Sequence, residues 1–309
     1  MNTLLITGYS GFVGSLLAKE LQSNNALKLL GRKKSNLGKV YKHNIDGSGD
    51  YSSTLNNVDC VIHCAARVHV MKDSSVDPLA EFRAVNTAGT VNLAKQAAKA
   101  SVKRFIFVST IKVNGESTSG KPAFTPFDTP APEDFYGVSK SEAEQLLLEL
   151  GKQTGMEIVI IRPPLVYGEG VKANFASLMK LVGKGLPLPF RLINTNKRSL
   201  VSVYNLVDLI KVCIEHPKAV NQVFLVSDDN DLSTAEMVRL MARVQGKSNF
   251  SLPLPLWCFK LAGSLLGKLD VVDRLTGSLQ LDITHTKNTL DWSPPYPVEL
   301  GFKLAAKNL

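Results

Sequence analysis

Short apolar runs alternate with helix-period patterns through the first half of the chain. Residues 3–7 read as a strand. Residues 11–22 read as a helix, with Phe12, Val13, Leu16, Leu17 and Leu21 at helical spacing. Residues 26–30 predict a second strand. Residues 58–64 and 104–109 are continuous apolar runs, as expected of parallel strands covered on both faces. Between them, residues 79–100 form one long helical pattern. A further helix is predicted over 136–153 and a further strand over 157–162. This rhythm predicts an α/β fold built on a Rossmann-type doubly wound parallel sheet.

After Pro163-Pro164 the pattern is less regular. Residues 173–185 and 205–215 look helical, 198–203 extended, and 222–226 a last strand. Ser233-Thr234-Ala235-Glu236 is a capping box opening a helix toward Gln245. Residues 254–266 are apolar apart from Lys260 and read as a packed helix rather than a membrane anchor. The expected organisation is a sheet domain of residues 1–168 plus 200–229, and a smaller discontinuous domain of 169–199 plus 230–309.

Composition narrows the class. The 309 residues suffice for a large core, and 44% hydrophobic with 20% charged residues is ordinary for a globular chain. No apolar run approaches the roughly 18–20 residues needed to cross a bilayer, so no membrane partner is expected. Met1-Asn2-Thr3 lacks the cationic start of a signal peptide. Cys60, Cys64, Cys213 and Cys258 show no metal or redox spacing, so reduced thiols, no metal site and a cytoplasmic location are expected. The net charge of +9 favours anionic partners. Arg32-Lys33-Lys34 is the only basic cluster and no aromatics interleave with cations, which points to small anionic ligands and not to nucleic acid.

Thr7-Gly8-Tyr9-Ser10-Gly11-Phe12-Val13-Gly14 joins the first strand to the first helix. Gly8 permits the tight turn, Gly11 lets backbone N–H groups approach a pyrophosphate, and Gly14 allows close helix packing. The partial positive charge of the helix start, at Phe12 and Val13, suits the phosphates. An acidic residue closing the second strand would favour NAD(H). Here Arg32 follows Gly31, and a guanidinium suits a 2′-phosphate. NADP(H) is therefore expected ahead of NAD(H).

Tyr136-Gly137-Val138-Ser139-Lys140 sets a phenol and an ammonium four residues apart on one helix face. A nearby cation would favour the phenolate and bring the phenol toward catalytic range. Phe107-Val108-Ser109-Thr110 ends a predicted strand just upstream. With His63-Cys64-Ala65-Ala66, with Asn86-Thr87-Ala88-Gly89-Thr90, and with Arg162-Pro163-Pro164-Leu165-Val166-Tyr167-Gly168, this order resembles the extended short-chain dehydrogenase/reductases, the NAD-dependent epimerase/dehydratase family acting on nucleotide sugars. Leu290-Asp291-Trp292-Ser293-Pro294 extends the resemblance almost to the C-terminus.

The resemblance implies an enzyme with Thr110, Tyr136 and Lys140 as its catalytic residues. It implies cofactor contacts from the glycine loop and from Ala65, Ala66, Asn86 and Pro163. It implies that the discontinuous domain holds the nucleotide sugar, a UDP-sugar, with Asn174, Arg198 and Arg274 at its diphosphate or sugar. Arg67, His69 and Lys112 are further candidates for substrate contact. A helix-paired homodimer is implied as well.

Family dehydratases carry an Asp-Glu pair directly after the catalytic hydroxyl, where this chain has Ile111 and Lys112. Family epimerases usually carry Val-Tyr-Gly nearby, where this chain has Val113-Asn114-Gly115. The segments 67–71, 111–115 and 171–177 are similar to bacterial O-antigen locus enzymes of lipopolysaccharide biosynthesis. The expected reaction is accordingly NADPH reduction at C4 of a UDP-4-keto-6-deoxy-N-acetylhexosamine. A UDP-sugar 4-epimerase with retained NAD is the alternative. A dinucleotide sensor or RNA-binding protein of this fold is more remote, because both Tyr136 and Lys140 are kept.

Overall fold

The structure, a computed structural model, describes residues 1–68, 77–248 and 250–308. Seven parallel strands form the central sheet: β1 (Thr3–Thr7), β2 (Ala26–Gly31), β3 (Lys39–Lys42), β4 (Cys60–His63), β5 (Arg104–Val108), β6 (Glu157–Arg162) and, later in the chain, β9 (Gln222–Leu225). Their order is β3-β2-β1-β4-β5-β6-β9. The direction of winding reverses between β1 and β4, and the crevice at the carboxyl ends there is where such sheets bind ligands. A small separate sheet pairs β7 (Leu165–Tyr167) with β8 (Leu200–Ser202) in parallel.

Side-chain alternation explains why the apolar runs are continuous. Leu4, Ile6, Ile62 and Ile106 face the helices Phe12–Leu21 and Val203–Glu215. Leu5, Val61, Phe105 and Phe107 face Thr90–Lys99 and Phe135–Thr154 on the other side. Each central strand is thus buried on both faces. A third core gathers Tyr167, Phe175, Met179, Met237, Met241 and Phe302 under the later helices.

Three expectations need correction. The pattern over 79–100 is not one α-helix. It runs as Pro78–Phe82, then a π-helical stretch Arg83–Gly89, then Thr90–Lys99. Such widened turns concentrate at functional sites, and this one carries Asn86. The strands β3 and β7 were not expected: β3 is a half-buried edge strand with lysine at both ends, and β7 directly follows Pro163-Pro164, where the pattern is irregular. The helix Leu256–Leu265 forms and packs through Gly263 and half-buried Phe259, which stacks on Phe190 of the third core, but on one side only: Trp257, Leu261 and Leu265 stay exposed. The capping box at Ser233 is present: its hydroxyl accepts from the Glu236 N–H, and the Glu236 carboxylate accepts from the Ser233 N–H.

Candidate active site

The glycine loop is shaped by contacts that no side chain could share. Gly8 has φ +69°, and a Cβ there would lie 2.7 Å from the Cys64 and Ala65 backbone. A Cβ on Gly14 would fall 2.3 Å from the Gly8 carbonyl oxygen. Gly11 caps the helix Phe12–Leu21 with no side chain, which leaves the first-turn N–H groups facing outward. This bare cradle at a helix N-terminus fits a pyrophosphate. The Tyr9 hydroxyl donates to the Lys33 carbonyl and ties the loop to the turn after β2. Arg32 is exposed in that turn.

His63 braces the loop from below. Its Nδ1 is 2.7 Å from the Thr7 hydroxyl and its Nε2 is 2.9 Å from that of Thr90, while Ala65 N–H donates to Thr7 at 3.1 Å. Burial, helped by the Lys140 cation, pulls the imidazole down to about 3, so it stays neutral.

The helix Phe135–Thr154 starts on Asp134, whose carboxylate accepts from Gly137 N–H at 2.6 Å. Tyr136, Lys140 and Glu144 follow at four-residue intervals on one face. Lys140 is buried, donates to the Val108 carbonyl at 2.7 Å, and stands 3.8 Å from the Phe107 ring centroid. Burial pulls its pKa down to about 7, against the opposing pull of Glu144. Burial also pushes the Tyr136 phenol up, and the Asp134 carboxylate adds to this. The Tyr136 hydroxyl makes no hydrogen bond among the described residues. Thr110 is buried at the end of β5 and caps the short turn Ile111–Val113. A Cβ on Gly137 would lie 3.0 Å from the Lys112 carbonyl, so helix and turn touch and hold Tyr136 beside the end of β5.

Behind these groups is a network that sequence reasoning missed. Glu144 accepts from the Ser109 hydroxyl and pairs with Arg162 at 2.5 Å, and Arg162 also donates to Asn114 at 2.9 Å. Both members of the ion pair are buried. The available signal was the i, i+4, i+8 spacing from Tyr136 through Lys140 to Glu144.

The remaining candidates divide. Asn86 accepts from Arg67 N–H at 2.8 Å and donates to the Arg67 carbonyl and the Ser139 hydroxyl. Its carboxamide thus clamps the segment after Ala65-Ala66 to the helix rather than facing open space. The Pro163 carbonyl accepts from Ile111 N–H at 2.9 Å, joining β6 to the Thr110 turn. The Arg67 guanidinium lies 3.6 Å from Glu81 and against the Phe82 ring. His69 falls outside the described residues.

Lys112, Arg198 and Arg274 meet in one cleft of about 790 Å³. Lys112 pairs with Glu116 at 2.8 Å and Asp134 at 2.6 Å. Arg274 pairs with Asp270. The Arg198 guanidinium donates to the Arg274 and Gly277 carbonyls, at 3.0 and 3.3 Å, and burial and the Arg274 cation both lower its pKa. Glu116, Glu133, Asp134, Asp270 and Asp273 also line the cleft, so its capacity for an anion is confined to the two neighbouring guanidiniums, one of them without a carboxylate partner among the described residues. Asn174 is exposed and does not line that cleft. Its neighbours Lys172 and Ala173 border a second cleft of about 630 Å³ beside Ser10, Gly11 and Phe12.

Sheet order, glycine loop and bare helix start define a Rossmann-type dinucleotide-binding fold, with a second cleft from the later chain. Residues 4–227 match the NAD dependent epimerase/dehydratase family, and the chain belongs to that family. It is 57% identical over 310 aligned positions to a UDP-glucose 4-epimerase of Vibrio cholerae, covering 99% of this chain and 94% of that one. Its fold matches UDP-N-acetylglucosamine 4-epimerase from Bacillus cereus with a TM-score of 0.80 at 20% identity, over 99% and 97% of the two chains. UDP-glucuronic acid 4-epimerase from Bacillus cereus, in complex with NAD, matches with a TM-score of 0.78 at 21% identity, over 98% and 97%.

Proposed function

We propose that the protein is a UDP-sugar 4-epimerase that retains NAD, with UDP-glucose and its N-acetyl counterpart as first candidates. The observation that carries this reading is 57% identity to the Vibrio cholerae epimerase across nearly the whole chain. It supports this alternative over the reduction expected from the sequence. That expectation rested on the similarity of segments 67–71, 111–115 and 171–177 to O-antigen locus enzymes, and on Asn114 standing where epimerases have tyrosine. The Asn114 side chain is buried, donates to the Thr125 carbonyl and accepts from Arg162, so its identity answers to packing and not to the sugar.

The bound dinucleotide supplies a hydride acceptor and donor for C4. Tyr136 takes the O4 proton as the 4-keto sugar forms and returns it to O4 after the ketone has turned over and C4 is reduced on its opposite face. Thr110 positions O4 by hydrogen bonding. Lys140, held by the Val108 carbonyl, lowers the cost of the phenolate with its charge. Arg198 and Arg274 hold the diphosphate. Ile111 is buried in a small apolar cluster and Lys112 is ion-paired, so neither replaces the acid–base pair that elimination needs.

The test is product NMR on UDP-glucose and UDP-N-acetylglucosamine with no cofactor added. Interconversion with the C4 epimers supports the proposal. A second reading, the NADPH-dependent 4-keto reductase, is favoured by the exposed Arg32 after β2. Stoichiometric NADPH oxidation on a UDP-4-keto-6-deoxy-N-acetylhexosamine, without epimerisation of either UDP-sugar, would establish that reading instead.

A further inference from the structure

Within the helix Leu256–Leu265 only Gly263 is buried, whereas Trp257, Leu261 and Leu265 are 66%, 55% and 79% exposed. Their four-residue spacing puts them on one outward face. Leu256 and Lys260 flank that face, and the helix carries no carboxylate. The patch continues through exposed Leu266 and Leu269, because Gly263 packs on Val272 of the helix Leu269–Thr276 and its carbonyl accepts from Lys268 N–H at 2.8 Å. On the other side, Phe250 and Leu252 are exposed on a segment bonded to the Leu188 backbone. Contiguous apolar surface on this scale marks an interaction site.

The charge around the patch selects the occupant. Arg191, whose N–H donates to the Leu252 carbonyl, is exposed, as are Lys260 and Lys268, and none has an ion-pair partner among the described residues. Of the two carboxylates on the adjacent helix, Asp270 is paired with Arg274 and Asp273 lines the cleft, which leaves the three cations in excess around the patch. A second copy meeting this face symmetrically would set like charges against each other. An anionic lipid surface would complement them, and a tryptophan among leucines with lysines at the rim is the composition of helices lying in a bilayer interface. No described helix is long and apolar enough to cross a membrane, so the element could only lie on one. Leu256 and Lys260 also line the cleft that holds Arg198 and Arg274.

We propose that this face docks on an anionic bilayer surface, with the helix Leu256–Leu265 in the interfacial plane and the cleft opening beside the membrane. The chain carries its own reporter: Trp292 is buried and bonded to Asp208, so Trp257 is the exposed one of the two tryptophans. The full chain is titrated with vesicles of phosphatidylglycerol and phosphatidylcholine, and with phosphatidylcholine alone. The expected result is a blue shift of Trp257 emission and co-sedimentation with the anionic vesicles. Binding should weaken with salt, and should fall at least ~10-fold in a Leu261→Glu/Leu265→Glu variant. That variant should keep its circular dichroism, melting temperature and turnover of free UDP-sugar, which keeps the docking test separate from the epimerase assay. Wild-type protein that ignores both vesicle types, or binds them equally, overturns the proposal. So does a vesicle-free, concentration-dependent emission shift with a dimer in sedimentation that the variant abolishes, since the patch would then be a subunit interface.

Discussion

Tyr136 makes no hydrogen bond through its hydroxyl among the described residues, so its removal should be felt in chemistry and not in folding. Tyr136→Phe is expected to lower kcat by ~10²–10⁴-fold, the usual worth of a positioned acid–base group, with an unchanged melting temperature. His63 is the opposite case, a buried residue whose role is architectural. Its pKa is about 3 in the folded chain and near 6.5 when unfolded. The unfolded chain therefore takes up a proton that the folded chain refuses. The contribution of His63 to stability is complete above pH ~6.5 and is lost as pH falls toward 3. Melting temperature should fall across that window, and a His63→Gln variant should show a shallower decline.

At the scale of elements, β5, β6 and the helix Phe135–Thr154 are locked by the buried pair of Glu144 and Arg162. Removing one partner leaves a buried charge uncompensated. Arg162→Met should cost about 3–5 kcal/mol in denaturant unfolding, whereas Glu144→Leu/Arg162→Met should recover much of that loss. Because Glu144 also opposes the depression of the Lys140 pKa, Glu144→Gln should lower that pKa further. Less of the ammonium would then persist near neutral pH, and the alkaline limb of the kcat/KM profile should move to lower pH. The π-helical stretch around Asn86 works with the same elements: it carries the carboxamide that joins the Arg67 backbone to Ser139.

At the scale of the whole molecule, the sheet carries the glycine loop, and the later chain returns to build the cleft of Arg198 and Arg274. Arg198 and Arg274 are 76 residues apart in sequence, yet the Arg198 guanidinium donates to the Arg274 carbonyl. Each lost charge-assisted contact to a diphosphate should raise KM about 10-fold with a smaller change in kcat, which steady-state kinetics on Arg198→Ala and Arg274→Ala would measure. If the two residues hold one diphosphate, their effects should also combine non-additively in the double variant.

The sequence alone determined the sheet and its glycine loop, because both are written in short-range pattern. The apolar runs of β1, β4, β5 and β6 need no distant information, and β1 and β6 were bounded to the residue. The glycines at 8, 11 and 14 belong to one continuous turn, as the tyrosine and lysine at 136 and 140 belong to one helix face. Tertiary structure alone decided what distant residues do to each other. It turned Asn86 into a clamp, gave Asn114 a buried partner, and brought Arg198 to Arg274 while leaving Asn174 outside their cleft. It also left the apolar face of Leu256–Leu265 bare. A run of leucines has the same composition whether it meets a core or an interface, and only the position of the rest of the chain settles which.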